Sequence, residues 1–310
     1  ANDLRKIPTG WLVQAPAKLN LYLDVLGRRA DGYHELETLM APVSLWDTLH
    51  LAARDDGQIC LTCKKSSPAG VDDFSKDPLP TDDRNLVVRA LKRLQDELRT
   101  DQGADVTLWK RIPSRAGLGG GSSDAAAALQ AGLQLWEASL PPGRLKRIAE
   151  DLGSDVPFFL TRRSAVCRGR GEQIEPAATP AGLTCVLAQP PVGLGAGEVF
   201  GQLTPDERSR SEGCPLHELL NALRAGRLSE AGRMMRNRLQ QPAERISGWC
   251  RRIGAAFNRL EVPAHQMTGS GAVYFGICAN RTQARRVAGQ LGGLRLDGRR
   301  LGWVGLATTL

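Results

Sequence analysis

In the first half of the chain the sequence reads Pro113-Ser114-Arg115-Ala116-Gly117-Leu118-Gly119-Gly120-Gly121-Ser122-Ser123-Asp124-Ala125. Four glycines within five residues let the backbone approach a ligand closely and adopt positive φ. The loop leads into an alanine-rich helix predicted over about 122–136. The first N–H groups of a helix have no partner, and its dipole is positive at that end. The pattern therefore predicts a phosphate cradle, with the Ser122 and Ser123 hydroxyls facing phosphate or magnesium.

A purely structural interpretation is that the segment forms a glycine-rich turn before a helix that Ser122 or Ser123 caps. This interpretation leaves the four glycines unexplained. The loop is not a Walker A motif, because no Gly-Lys-Ser/Thr follows it. It is not the dinucleotide fingerprint, because Ser122 stands where the third glycine belongs. The chain also lacks the His-Arg-Asp and Asp-Phe-Gly motifs of protein kinases.

Around this loop the sequence alternates between strand and helix patterns. Before it, the patterns predict strands at 11–15, 19–25, 36–43, 48–53, 59–63 and 105–112, and a helix from about Val87 to Leu98 that Asp82 or Asp83 could cap. After it, they predict helices at 142–152, 216–224, 227–238, 242–259 and 281–290, and strands near 166–171, 183–188, 272–278 and 301–307. A composition shift places a domain boundary near residue 162.

Composition and charge limit the classes of protein and of binding partner that fit this chain. Hydrophobic residues make up 42% and charged residues 24% of the 310, which is typical of globular proteins. The net charge of +8 predicts an anionic partner, either nucleic acid or nucleotide phosphate. Aromatics are few and do not interleave with a basic cluster, which argues against a stacking platform for single-stranded nucleic acid. No signal peptide or membrane-spanning run is evident, and seven unpatterned cysteines indicate a reducing, cytoplasmic location.

Two ionisable residues gain a role if the loop binds ATP. Lys18 interrupts a predicted strand, and Asp155 precedes the apolar run Val156-Pro157-Phe158-Phe159. Lys18 could instead be an edge-strand residue, and Asp155 a turn or helix cap. In phosphoryl transfer a carboxylate accepts the proton of the acceptor hydroxyl, while a nearby lysine keeps that carboxylate ionised. Cys60 and Cys63 form an isolated pair, so no metal-ligand set is predicted.

Three blocks together resemble the GHMP kinases. They are Pro16-Ala17-Lys18-Leu19-Asn20, the loop from Ala116 to Ala125, and Met267-Thr268-Gly269-Ser270-Gly271-Ala272. Within the family, the sequence is most similar to members that phosphorylate the 2-hydroxyl of 4-diphosphocytidyl-2-C-methyl-D-erythritol in the non-mevalonate isoprenoid route. Four further stretches carry that resemblance: 18–23, Gly27 to Leu36, Asn85 to Ala90, and Gly153 to Phe159.

The resemblance implies a role for each matching residue. Asp155 corresponds to the catalytic base and Lys18 to its partner. Asn20, Tyr33, His34, Phe200, Gly269 and Gly271 correspond to the substrate side, where Tyr33 stacks on cytosine, His34 hydrogen-bonds its edge and Phe200 covers its other face. The ATP side corresponds to Gly117, Leu118, Gly119, Gly120, Gly121, Ser122, Ser123 and Asn85. Asp31-Gly32 is a turn signal, which predicts that the Tyr33 and His34 side chains lie at the mouth of a loop. Without the resemblance, His34 could be a surface histidine and Phe200 a core residue. Asp124 is a possible magnesium ligand beside the loop hydroxyls.

The resemblance also implies a two-domain α+β fold. An ATP-binding N-terminal domain would cover 1–162 and a ferredoxin-like C-terminal domain 163–310, with the active site in the cleft between them. We expect ATP and Mg²⁺ as cofactors, no nucleic-acid or membrane partner, and a monomer or weak homodimer. Two alternatives stay open: a GHMP kinase for homoserine, mevalonate or a sugar, and a non-catalytic ligand sensor on the same fold.

Overall fold

The computed structural model describes residues 4–65, 78–204, 207 and 216–310. Its strands are β1 Leu4–Ile7, β2 Gly10–Arg28, β3 His34–Arg54, β4 Ile59–Lys65, β5 Gly103–Lys110, β6 Ala165–Gly169, β7 Gln173–Pro176, β8 Thr184–Gln189, β9 Arg236–Asn237, β10 Ala264–Met267, β11 Tyr274–Cys278, β12 Arg295–Leu296, β13 Arg299–Arg300 and β14 Trp303–Thr308. Its helices are α1 Leu86–Leu98, α2 Gly120–Leu135, α3 Pro142–Leu152, α4 Val156–Thr161, α5 Ala196–Gly201, α6 Leu216–Arg224, α7 Leu228–Met234, α8 Gln240–Ile246, α9 Gly248–Arg259 and α10 Arg281–Gly292.

The described strands form two main sheets. The larger has the order β1-β2-β3-β5-β4, with β6 beside β3 and β9 beside β2; the smaller has the order β10-β11-β8-β14. A short hairpin, β12-β13, stands apart from both. The fold thus combines two sheets with helices, as predicted. The division at 162/163 stays a prediction, and β6 and β7, which follow it, pair within the larger sheet.

The long antiparallel strands β2 and β3 pair at the centre of the larger sheet. The predicted strands 11–15 and 19–25 merge into β2, and 36–43 and 48–53 merge into β3. Register shifts at Pro16/Ala17, Asn20/Tyr22 and Val25/Gly27 show that irregularities accommodate the joins. Such bulges bend a strand and redirect its side chains. Lys18 lies between two of these shifts.

Apolar faces of α1 and α2 pack on this sheet. The Val87, Ala90, Leu91 and Leu94 side chains of α1 are fully buried, which confirms the predicted helical spacing. The cap differs from the prediction: Asn85 Oδ1 accepts a hydrogen bond from the Val87 N–H at 2.9 Å, so Asn85 caps α1 instead of Asp82 or Asp83. An asparagine at this position satisfies an otherwise unpartnered helix N–H.

Two predicted helices in the second half are shorter than the sequence pattern indicates. The helix predicted at 242–259 is divided into α8 and α9 at Ser247, whose backbone is extended. Gly248, next to it, has low helix propensity. The helix predicted at 227–238 ends at Met234, because the chain then pairs with Tyr22 and Leu23 as β9. Among the described helices, none has the length and apolar character that a bilayer span requires.

Candidate active site

A large cavity brings most of the predicted site residues together. It encloses about 800 Å³. The predicted residues that line it are Lys18, Asn20, Tyr33, His34, Gly117, Gly119, Ser122, Asp155, Phe200 and Gly269. They come from both halves of the chain, so only the folded protein assembles the set. Gly271 and Ser123 do not line it.

Lys18 and Asp155 face each other inside this cavity. The Lys18 Nζ and Asp155 Oδ2 atoms are 3.9 Å apart, and the Lys18 side chain is 4% exposed against 35% for Asp155. Lys18 is not an exposed edge residue, because β3 pairs with it on one side and its backbone N–H bonds to Leu118 of the glycine loop on the other. Burial lowers the pKa of Lys18, and the Asp155 carboxylate opposes that effect. Asp155 stands at the start of α4, but its side chain caps no backbone N–H there.

A buried polar network orients the lysine. Lys18 Nζ donates to Asn20 Oδ1, and Asn20 Nδ2 donates to Thr38 Oγ1 at 2.8 Å. Thr268 Oγ1 accepts from the Asn20 backbone N–H at 3.0 Å. Each group in this chain of contacts therefore has a partner, which a buried polar cluster requires. Asn20 links Lys18 to the third sequence block through Thr268.

The glycine loop packs too tightly for any other residue at two positions. Gly117 has φ +75°, and a Cβ atom there would lie 2.1 Å from the Thr268 carbonyl oxygen. Gly119 has φ +71°, and its Cβ would lie 2.8 Å from the Phe159 ring. The Lys18 N–H donates to the Leu118 carbonyl at 3.0 Å. The loop is thus fixed directly against the strand that carries the lysine.

The helix after the loop begins at Gly120, and Gly119 occupies the N-cap position without a side-chain hydrogen bond. Ser122 and Ser123 are therefore in the first turn, and the interpretation that either serine is the cap is wrong. Ser122 lines the large cavity. Ser123 is 1% exposed and its Oγ atom has no hydrogen-bond partner among the described residues.

The glycine loop also lines a second cavity, of about 360 Å³. Its lining includes Asn85, Leu118, Gly120, Gly121 and Asp124. Gly117, Gly119 and Ser122 line both cavities. The loop therefore separates two adjoining compartments and presents its backbone to each, as a phosphate passing from a donor to an acceptor requires.

Aromatic side chains also line the large cavity, where β3 begins at His34 opposite Arg28, ten residues along β2 from Lys18. The His34 and Phe200 rings stack, with centroids 5.0 Å apart and 24° between planes. Tyr33 is 54% exposed. Asp31 accepts a hydrogen bond from the Tyr33 N–H, and Gly32 has φ +87°, which confirms the predicted turn before the pair. Phe200 is not an isolated core residue, because it lines this cavity beside His34.

Sequence reasoning missed two features of this region. Arg170 lines the large cavity, and its guanidinium lies 4.8 Å from the centroid of the Tyr33 ring. An arginine between Gly169 and Gly171 is the signal that could have drawn attention to it. The other feature is a buried ionic cluster beside the glycine loop, formed by Lys110, Asp47 and Asp124.

Lys110 Nζ contacts both carboxylates of this cluster, with Asp124 Oδ2 at 2.7 Å. Asp47 Oδ1 also accepts from the Arg111 and Ile112 N–H groups. Burial and the neighbouring Asp47 raise the pKa of Asp124, which Lys110 opposes. The cluster links β3, β5 and α2 immediately below the loop. In the described residues, no group of three or more histidine, cysteine or acidic side chains has the arrangement of a metal site.

Comparison with known proteins relates this geometry to a family. The GHMP kinases N terminal domain model matches residues 85–163, and the GHMP kinases C terminal model matches residues 219–293. The chain is 39% identical over 282 residues to the 4-diphosphocytidyl-2-C-methyl-D-erythritol kinase of a Polaromonas species, covering 90% of this chain and 87% of that protein. It is 34% identical over 281 residues to the enzyme of that name from Shouchella clausii, covering 91% and 90%.

Solved structures give the same relationship. A crystal structure of 4-(cytidine 5'-diphospho)-2C-methyl-D-erythritol kinase superposes with a TM-score of 0.77 at 33% identity, covering 96% of this chain and 98% of the other. A homoserine kinase from Cytophaga hutchinsonii superposes with a TM-score of 0.71 at 17% identity, covering 99% and 96%. The second similarity concerns the fold alone.

Proposed function

The chain belongs to the GHMP kinase family, and we propose that it transfers the γ-phosphoryl group of ATP to the 2-hydroxyl of 4-diphosphocytidyl-2-C-methyl-D-erythritol. The observation that carries this proposal is that one cavity is lined both by Lys18 and Asp155 and by Tyr33, His34 and Phe200. The two groups are separated along β2 and β3, since Lys18 pairs with Pro42 and His34 pairs with Arg28. The products are the 2-phosphate and ADP. The names of the full-length relatives support the same substrate.

Asp155 is the proposed general base. Its carboxylate is partly exposed to the cavity and so can meet an acceptor hydroxyl, from which it takes the proton as the phosphoryl group arrives. The Lys18 ammonium, 3.9 Å away, pairs with the carboxylate and stabilises negative charge on the transferring group. The transition state of phosphoryl transfer is loose, so position and electrostatics supply most of the acceleration. The hydrogen bonds through Asn20 and Thr268 hold that position.

The aromatic end provides the proposed cytidine site. Tyr33 offers an exposed ring face for stacking, and His34 offers ring nitrogens that can hydrogen-bond a base edge. Phe200 packs against His34 and fixes the plane of its ring. Stacking of a base on an aromatic residue contributes about 1–3 kcal/mol. Homoserine, mevalonate and sugar kinases do not need a base-binding end.

ATP is the phosphoryl donor of this family, and we place its phosphates at the glycine loop and its nucleoside in the 360 Å³ cavity near Asn85. The Asn85 side chain already caps α1, so adenosine would contact the Asn85 backbone or the residues around it instead of the Asn85 side chain. Mg²⁺ fits the site: Ser122 lines both cavities, and the buried Asp124 Oδ1 atom has no hydrogen-bond partner among the described residues. Mg²⁺ characteristically needs few protein oxygens when it binds with nucleotide phosphates, whose charge it neutralises.

The test is ADP release from ATP and Mg²⁺ with a panel of acceptors: the cytidyl compound, mevalonate, homoserine and galactose. We expect turnover with the cytidyl compound alone. Turnover with another acceptor would overturn the substrate and the cytidine site but retain the kinase. No turnover by folded, ATP-binding protein would favour a ligand sensor.

We further propose that the protein acts in the cytoplasm, in keeping with the free thiols of the described cysteines, and that it is a monomer or weak homodimer.

A further inference from the structure

Arg170 projects from the turn between β6 and β7 into the large cavity. Gly169 with φ +74° and Gly171 with φ +124° flank it, so the turn positions one long cationic side chain between two residues without side chains. Its guanidinium lies over the Tyr33 ring, 4.8 Å from the centroid. A cation over an aromatic face is attracted by the ring quadrupole. The ring therefore restricts where the guanidinium can point.

The same turn also contacts the segment that carries the proposed base. A Cβ atom on Gly171 would lie 3.2 Å from the Ser154 carbonyl oxygen, which shows how closely the turn approaches the residue before Asp155. Ser154, Asp155, Arg170 and Gly171 all line the cavity. Arg170 is thus located between Tyr33 at the aromatic end and Asp155 at the reacting end.

The Arg170 guanidinium acts electrostatically on the exposed Asp31 carboxylate but forms no salt bridge with it. Among the described residues, no carboxylate lies within ion-pair distance of its guanidinium. Arg168, two residues earlier, pairs with both Glu37 and Glu175. Of the other cations that line the cavity in the described structure, Lys18 faces Asp155, and Arg28 is exposed at the end of β2. Arg170 alone combines a cavity position with a ring that holds its head group.

We infer that Arg170 binds the diphosphate of the substrate. The inference rests on the proposed function, because a nucleoside diphosphate with its base at Tyr33 and its acceptor hydroxyl at Asp155 must carry its two phosphates between those residues. A guanidinium presents a planar fork of N–H donors that matches phosphate oxygens. Arg170 is then a specificity-determining residue that distinguishes a diphosphate-linked acceptor from an uncharged alcohol of similar size.

The experiment measures binding of CDP and of cytidine to the wild type and to Arg170→Met by calorimetry. A charge-assisted hydrogen bond lost from a phosphate corresponds to about a 10- to 100-fold loss of affinity. We expect that loss for CDP and less than about a threefold change for cytidine, together with a raised KM and nearly unchanged kcat. Arg170→Lys, which keeps the charge but not the fork, should fall between the two. Arg168→Met is the matched control from the same hairpin and should leave CDP affinity unchanged.

Three outcomes of these binding measurements would contradict the inference or the substrate on which it rests. Equal losses for CDP and cytidine would overturn the inference, since Arg170 would then act only by supporting Tyr33. Unchanged CDP affinity in a folded Arg170→Met variant would overturn it as well. Wild-type protein that binds ATP but not CDP would instead overturn the proposed substrate, and the inference with it. Thermal unfolding of each variant identifies any loss that comes from misfolding.

Discussion

Replacement of Asp155 by asparagine removes the proposed base while it keeps the size and shape of the side chain. General-base catalysis contributes about 10²–10⁴-fold to a rate. The Asp155 side chain is 35% exposed, so water can reach the acceptor hydroxyl and replace the carboxylate as a weaker proton acceptor. We therefore place the loss near the middle of that range. The expected fall in kcat is therefore about 10³-fold, or about 4 kcal/mol in activation free energy.

The assay is coupled ADP release at saturating ATP, with ATP affinity measured separately by calorimetry. ATP affinity should be nearly unchanged, because Asp155 does not line the cavity assigned to the nucleotide. Asp151→Asn is the matched control: it removes an exposed carboxylate that contacts Arg93 on the protein surface, and its kcat should stay within about twofold of the wild type. A folded Asp155→Asn variant with kcat within threefold of the wild type would refute the assignment of the base.

The same variant has a second signature in its pH profile. Burial lowers the pKa of Lys18, and the negative charge of Asp155 is the strongest effect that opposes this decrease. Wild-type activity should therefore be lost as rising pH removes the Lys18 proton, at a pH below the usual value of 10.5 for lysine. Without the Asp155 charge the Lys18 pKa falls further, so the residual activity should be lost at lower pH still. An unshifted alkaline limb would mean that Lys18 is not the group that titrates.

Three further predictions concern the scaffold. Gly119→Ala requires a side chain at φ +71° and places a Cβ atom 2.8 Å from the Phe159 ring, so ATP affinity and the unfolding temperature should both fall, whereas Gly143→Ala, with nothing near its Cβ, should preserve both. Lys110→Met leaves two buried carboxylates without their cation and should destabilise the protein by about 3–5 kcal/mol in urea unfolding; a loss under 1 kcal/mol would contradict a stabilising role. Hydrogen bonds from Arg245 lower the pKa of Glu207 to about 2, so stability that this pair contributes above the usual carboxyl pKa should be lost as pH falls toward 2; Glu207→Gln should flatten that part of the stability curve.

The local elements around the site could be predicted because their signals lie within short segments. The glycine-rich run followed by alanines predicts a loop and a helix, and α2 begins within two residues of the predicted start. Asp31 and Gly32 predict the turn that presents Tyr33, and the structure confirms it. Backbone conformation at such positions depends on residue type, so the sequence contains the necessary information.

Helix boundaries depended on contacts that the sequence does not display. Asp82, Asp83 and Asn85 are all chemically suitable caps for α1, and only the path of the chain gives that position to Asn85. The helix predicted at 227–238 ends early because pairing with β2 competes with helix continuation. In both cases a tertiary contact overrode an adequate local propensity.

By itself the sequence predicted the chemistry of this protein: a phosphate loop, a lysine and an aspartate that suit phosphoryl transfer, and an aromatic–histidine pair suited to a base. Only the tertiary structure decided that Lys18 is buried between β3 and the glycine loop, with its Nζ atom 3.9 Å from Asp155 Oδ2. It also stacked Phe200 on His34 and brought Arg170 over Tyr33. The reason is physical: residue type limits local backbone geometry and reactivity, whereas burial and proximity between distant residues arise only when the two sheets and their helices pack together.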